Sequence, residues 1–289
     1  FNIKSKFSLE SLSAAQADVF TTVSEITNVE CNAFFNKPVD VVTINGFENN
    51  FVPKGDHFVQ KRDFARKKLL HVASSLTQQK INDDALLVIN SGRYEYKNKG
   101  IDIFIDALAK LKESNLQKEI VAFIAVPAGN SGPRVDLIEK MEHPIQQPIL
   151  NDFTTHQLFS FNSDPIINQL INKGINNSPE SKVKVIFVPV YLNGFDQIFD
   201  LEYYDFLIGF DLSVFPSYYE PWGYTPLESV AFGIPTITTS LAGFGTWVLS
   251  HFGNQNSAIV IERDDFNDQQ VVEQIASSIG YFSGLSVEE

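Results

Sequence analysis

Two hydrophobic rhythms alternate along the chain. Short apolar runs at residues 19–23, 39–44, 86–89, 120–126, 183–188, 212–215, 236–239 and 258–261 predict strands. Between them, mixed polar and apolar stretches predict helices: one from residue 25, others over about 56–79, 100–112 and 201–210, one after Pro133, one after Pro226 and one from about residue 268. Strand followed by helix, repeated this often, predicts the α/β class: a Rossmann-like parallel sheet covered by helices on both faces. Residues 128–182 break the rhythm. Their Asn, Gln and Pro content predicts a helical pair interrupted by loops, with 172–181 exposed. The pattern resets near residue 85. This divides the chain into a βαβ unit at 1–50, a helical connector at 51–84 and a larger domain at 85–289.

That pattern also places the polar residues that carry chemistry. Glu220 lies in the loop after an apolar strand end, and Glu228 lies about one turn into a helix opening near Thr225-Pro226, where proline is tolerated. Arg93 and Lys99 flank a second strand-loop-helix step, from Ile89 to Gly100. In an open parallel sheet, ligands bind at the carboxyl ends of the strands, so both steps point toward one crevice. Gly223, Tyr224 and Thr225 stand at a helix N-terminus, where free N–H groups and the helix dipole favour phosphate or sugar hydroxyls. The plainer readings are a solvated loop pair for Arg93 and Lys99, and a dipole or capping role for Glu228. Gly243-Phe-Gly245 superficially resembles a dinucleotide fingerprint, but Val248 takes the third glycine position and the motif comes late. It reads as a turn approaching a ligand, with a plain tight turn as the alternative.

The segment from Phe215-Pro-Ser-Tyr-Tyr-Glu220 through Pro-Trp-Gly-Tyr-Thr-Pro-Leu-Glu228 resembles glycogen synthases of the eukaryotic type. So do Ser91-Gly-Arg-Tyr-Glu-Tyr-Lys-Asn-Lys-Gly100 and, more weakly, Phe20-Thr-Thr-Val-Ser-Glu-Ile-Thr27 with Ile44-Asn-Gly46. The resemblance implies a retaining glucosyltransferase that moves glucose from a nucleotide donor to the non-reducing end of an α-1,4-glucan. It implies two Rossmann-like domains facing across a cleft, with this chain holding the second, donor-binding domain and a remnant of the first. On that reading the chain is a fragment that binds donor but is inactive alone, and its full-length parent is a homo-oligomer. By the same resemblance Arg93 and Lys99 meet the leaving diphosphate, Glu220 contacts the glucose ring, and Glu228 accepts hydrogen bonds from the ribose. Gly223, Tyr224, Thr225, Gly243 and Gly245 line the donor site. Tyr203 stacks on the base, with a core tyrosine as the equal alternative. Phe187-Val-Pro-Val-Tyr191 departs from the family's His-Pro-Glu, so UDP-glucose is favoured with ADP-glucose as the alternative donor. Other retaining transferases with the same Glu-x7-Glu arrangement, or a non-catalytic nucleotide-sugar module, are the rival functions; a hydride-transfer enzyme is a remote third.

Composition narrows the partners. There are 22 basic and 35 acidic residues, a net charge of −13, with no block of one sign, which argues against nucleic-acid and anionic-membrane surfaces. Cys31 is the only cysteine, so no intrachain disulfide can form and the expectation moves to the cytoplasm. The five histidines show no metal-ligand spacing, and no metal or cofactor is expected beyond the donor. The basic run Lys61, Arg62, Arg66, Lys67 and Lys68 repeats at helical spacing and reads as a solvated face. The opening residues have neither an initiator methionine nor an apolar signal core, which reads as a chain cut from a longer one.

Overall fold

Three strands with no exposed face anchor the molecule. In a computed structural model that describes residues 3–143 and 153–286, Leu86–Ser91, Ile120–Ala125 and Val183–Val188 are buried at every position. This is why they read as near-continuous apolar runs, interrupted in the third by the buried Lys184, rather than alternating ones.

In chain order the helices are α1 (Lys4–Gln16), α2 (Glu25–Phe35), α3 (Asp56–Thr77), α4 (Ile101–Lys112), α5 (Val135–Glu142), α6 (Pro165–Asn172), α7 (Tyr203–Leu207), α8 (Tyr224–Ala231), α9 (Gly243–Phe252) and α10 (Asp268–Gly284). The strands are β1 (Thr21–Thr22), β2 (Val41–Val42), β3 (Leu86–Ser91), β4 (Ile120–Ala125), β5 (Asn130–Pro133), β6 (His156–Leu158), β7 (Val183–Val188), β8 (Leu212–Val214), β9 (Thr236–Thr239) and β10 (Ala258–Ile261). Six of them form one wholly parallel sheet in the order β10-β9-β8-β3-β4-β7. The chain starts in the middle at β3, steps outward through β4 to β7, then returns to the other side of β3 and steps outward again. The crossover directions therefore reverse between β3 and β8, which opens a crevice at their carboxyl ends.

Each face of the sheet has its own core. One packs α4, α6 and α10 around Phe104, Ile124 and Ile275; the other packs α3, α5 and α7 around Leu69, Phe123 and Phe206. A smaller cluster of Trp222, Phe244 and Val248 closes the β10 edge, where Trp222 and Trp247 lie 6.2 Å apart as packing partners. The N-terminal unit is a βαβ with β1 and β2 parallel. Its α2 starts with a reciprocal Ser24–Thr27 capping box and packs on α9.

Several expectations need correction. The basic run on α3 is only in part a solvated face: Lys67 is exposed, but Lys61, Arg62 and Arg66 are paired. Arg62 and Arg66 each pair with Asp211 at 2.7 Å, Lys61 meets Asp205 at 2.5 Å, and Arg66 also donates to the Ala85 carbonyl. Asp211 in turn accepts the Leu87 amide at 2.8 Å, so the cations pin α3 to the amino ends of β3 and β8. Between 128 and 182 the structure shows the antiparallel pair β5 and β6 as well as α5 and α6, and part of this region, 144–152, lies outside the described residues. The loop after α6 is not simply exposed: Asn177 is buried, and its side chain bonds both the amide and the carbonyl of Val185. Helix α1 and helix α9 have no counterpart in the periodicity reading.

Candidate active site

The crevice between β3 and β8 gathers most of the residues singled out from the sequence. The loop 92–100 leaves β3 and closes on itself, the Lys99 amide donating to the Glu95 carbonyl at 2.8 Å and the Gly100 amide to Lys97 at 2.8 Å. It also docks on the loop after β8, because the Tyr218 amide donates to the Asn98 carbonyl at 2.8 Å. Gly100 has φ +65°, and a Cβ there would overlap the Pro216 carbonyl. A glycine at this position therefore lets the two loops touch.

Across that contact Lys99 Nζ donates to Glu220 Oε2 in an ion pair whose side chains are 16% and 19% exposed. A pair this sheltered from water is poorly screened, so each charge depends on the other. Gly223, at φ +104°, opens α8 beside them; a Cβ there would lie 3.5 Å from Glu220 Cγ. Having no side chain, it leaves the first amides of α8, those of Tyr224 and Thr225, without a side-chain cap.

Glu228 faces a different set of neighbours. The Tyr204 hydroxyl donates to Glu228 Oε1 at 2.9 Å, and Tyr204 stacks on Phe232 with ring centroids 5.2 Å apart. Burial raises the Glu228 carboxyl above the ordinary range, and the Tyr204 bond only partly opposes this. Burial, together with that bond, pushes the Tyr204 hydroxyl up to about 12, so it stays a donor at neutral pH. Tyr203 turns its hydroxyl to Ser91 Oγ, 2.9 Å away at the end of β3, and its ring packs against the α3-side core. Burial and then the Glu228 charge hold that phenol protonated.

The Glu228 shift gives a prediction. A carboxyl with a folded-state pKa above its unfolded value favours folding only while protonated; that contribution is present at acid pH and lost as pH rises through the folded value. Glu228→Gln keeps an acceptor for Tyr204 without the charge. It is expected to raise the Tm near pH 7.5, with the gain shrinking as pH falls toward about 4.3. Thermal melts of both proteins across this range check it, and a pH-independent difference would contradict it.

Two expectations fare differently. Arg93 stands on the same loop as Lys99, but it is 75% exposed and its guanidinium pairs with Glu95 at 3.2 Å, not with Glu220. The structure brings Lys99, Glu220 and Gly223 together and Tyr203, Tyr204 and Glu228 together, with Arg93 at the rim. Gly243-Phe-Gly245 is not a turn. It is the first turn of α9, and both glycines are buried because a Cβ on Gly243 would overlap the Pro221 carbonyl and one on Gly245 the Thr239 carbonyl. The Gly243 and Phe244 amides already donate to the carbonyls of Glu220 and Trp222, at 3.0 and 2.7 Å. These glycines place α9 against the Glu220 loop, and those two amides are not offered to a ligand.

Sequence reasoning missed Tyr204, Ser91 and Gly100. The tyrosine pair gave a signal without saying which ring would reach Glu228. It also missed the bond from the Tyr219 hydroxyl to Glu30 Oε2, 2.6 Å, which ties α2 to the residue beside Glu220. Beyond β4 and β7, a groove of about 370 Å³ is lined by Asn130, Pro189, Tyr191 and Phe195, the two aromatics being largely exposed. A further cavity of about 570 Å³ lies at the amino end of the sheet, lined by Arg62, Arg66, Lys118 and Asp211, but both arginines there already share the Asp211 carboxylate. Among the described residues no group of three His, Cys, Asp or Glu side chains is placed to hold a metal ion, and no helix is long and apolar enough to cross a membrane.

The geometry can be set beside known proteins. The chain is 31% identical to glycogen [starch] synthase isoform 2 of Saccharomyces cerevisiae over 86% of its own length and 44% of that protein's, and 29% identical to the glycogen [starch] synthase of Caenorhabditis elegans over 97% and 51%. It spans about half the length of these curated relatives. Its fold is similar to that of Anabaena HepE, solved with UDP and glucose, with a TM-score of 0.54 at 15% identity over 98% of this chain and 61% of that one. It is also similar to sucrose-phosphate synthase from Thermosynechococcus elongatus, with a TM-score of 0.51 at 15% identity over 97% and 56%. Both likenesses concern the fold. The family model for glycogen synthase matches residues 1–140 and 135–288. Through that match, which takes in both loops of the β3–β8 crevice, the chain belongs to the glycogen synthase family.

Proposed function

We propose that this protein is a retaining glucosyltransferase that moves glucose from UDP-glucose to the non-reducing end of an α-1,4-glucan. The observation that carries the reading is the sheltered Lys99–Glu220 pair at the switch point between β3 and β8, in a chain of this family. Breaking the glycosidic bond builds negative charge on the diphosphate and positive charge on the sugar ring. Lys99, with Arg93 at the rim, is placed for the first, and Glu220 for the second. The uncapped start of α8 adds amide donors and a favourable dipole. Glu228 accepts the ribose hydroxyls, and the aromatic-edged groove beyond β4 and β7 seats the base; Tyr203, its ring against the α3-side core, holds Ser91 at the end of β3. Gly243 and Gly245 serve the site indirectly, by bringing α9 under the Glu220 loop. A phosphate leaving group needs no general acid, so the two carboxylates need not divide acid and base roles as in glycosidases. We assign no covalent nucleophile.

In this reading residues 85–289 form the donor domain, 51–84 the connector and 1–50 part of the acceptor-side domain. Transfer then requires the other half of the cleft, and the whole enzyme works as a cytoplasmic homo-oligomer. Calorimetric titration tests donor recognition. The chain should bind UDP-glucose more tightly than ADP-glucose, and Lys99→Ala and Arg93→Ala should each weaken UDP-glucose by about tenfold or more, the loss expected for a charge-assisted phosphate contact. Equal affinity in all three proteins would reject the assignment.

A further inference from the structure

The loop that carries Glu220 is held by a buried cation that lies outside both glutamates' neighbourhoods. Arg263 follows β10 and is 3% exposed. Its guanidinium lies 3.5 Å from the centroid of the Tyr218 ring and donates to the Pro216 carbonyl, while its other terminal nitrogen meets Asp268 at 2.8 Å. The Tyr218 hydroxyl donates within the same network, 2.9 Å from Asp268 and 3.3 Å from Asp102. Asp102, in the first turn of α4, also takes Lys97 at 2.7 Å. Three loops that leave the carboxyl ends of β3, β8 and β10 are thereby locked together around one planar cation. The Arg263 amide completes the lock by donating to Ser240 Oγ at 2.9 Å, and Thr239 Oγ1 holds the Ser217 carbonyl at 2.9 Å.

The geometry points to Arg263 as a positioning residue: its guanidinium sets the height and register of the Pro216–Tyr218 backbone, and so the place of the Glu220 carboxylate relative to Lys99. Arginine is required because the contact is a ring stack and two directed hydrogen bonds at once; lysine, a compact point charge, cannot make all three. Glu220 stands two residues beyond Tyr218, so a shift of the stack passes directly to it. Arg263 itself meets neither phosphate nor sugar. Its loss therefore acts most on the glucosyl end of the donor, where Glu220 works, and less on the Lys99 loop, which keeps its own bonds from the Lys99 amide to Glu95 and the Gly100 amide to Lys97.

This inference rests on the donor-site reading above, and the experiment separates the two. UDP and UDP-glucose are titrated calorimetrically into the native chain, Arg263→Lys and Asp268→Ala. Asp268 is about half exposed, so its truncation leaves the core intact and keeps the test decisive if Arg263→Lys does not fold. Both variants should weaken UDP by no more than about twofold while raising the ratio of the UDP-glucose Kd to the UDP Kd by about fivefold or more, the scale of a small misplacement at a reacting group. An unchanged ratio, or equal weakening of both ligands, would overturn the positioning role and leave Arg263 a structural residue. A native chain that binds neither nucleotide would instead sink the donor-site reading and this inference with it.

Discussion

Gly100→Ala is expected to destabilise the protein by about 2–5 kcal/mol. The residue occupies the left-handed region, which costs a non-glycine residue about 1–2 kcal/mol. Its Cβ would also overlap the backbone carbonyl of Pro216, and overpacking against an atom that cannot rotate away adds about 1–3 kcal/mol. Against a total stability of about 5–15 kcal/mol, this is a large fraction. Gly233 gives the control, since it ends α8 with a similar φ of +71° but a Cβ added there would meet nothing within 4 Å. Gly233→Ala should therefore lose about 1–2 kcal/mol, the conformational cost alone. Urea denaturation of the two variants measures the contrast through the midpoint at constant m. Equal losses would show that the close approach of the two site loops does not constrain position 100. Because the same contact carries Lys99 to Glu220, the folded fraction of Gly100→Ala should also bind UDP poorly.

Glu220→Gln is expected to lower kcat by about 10²–10³-fold in a protein carrying both halves of the cleft. The substitution keeps the side chain's shape and a hydrogen-bond acceptor for Lys99 while removing the charge to which we assign stabilisation of the developing positive charge on the sugar. Its effect on UDP should have the opposite sign. The carboxylate neutralises Lys99 and repels a diphosphate, so removing its charge leaves the ammonium available and should tighten UDP binding severalfold. Loss of turnover with gain of product affinity is a signature of a group that acts on the transition state and not on binding. Initial rates with UDP-glucose on glycogen, together with UDP titration, check both halves. A fall in UDP affinity parallel to the fall in kcat would mean that Glu220 holds the loop and does no chemistry.

These two variants also mark where sequence reasoning stopped. The sheet was legible because β3, β4 and β7 are buried on both faces, which leaves apolar runs with few rival interpretations. The crevice at the carboxyl ends of the strands followed from the repeated strand-helix alternation. Helix α9 was hidden because Gly243 and Gly245 are turn signals locally; only the packed structure shows that they admit a helix against Thr239 and Pro221. The basic face of α3 misled for a related reason. Its helical spacing was real, but Asp211, 145 or more residues away, pairs with two of its arginines. Gly100 and Arg263 gave no local signal, since their roles depend on Pro216 and Tyr218, which meet them only once the sheet has formed. Tyr204 stood beside the residue that was singled out, and a helix of five residues carries too little periodicity to choose between neighbours.

Glu228 shows the cost of such a site. A carboxylate held above its usual range by burial lowers stability at neutral pH, and its presence there fits a residue kept for a ligand.

The most direct measurement is a crystal structure of this chain with UDP-glucose bound. The account predicts the diphosphate within hydrogen-bonding distance of Lys99 Nζ and the Arg93 guanidinium at the start of α8, the glucose ring against Glu220, and the ribose on Glu228. A diphosphate bound instead at the amino end of the sheet, among Arg62, Arg66 and Lys118, would contradict it.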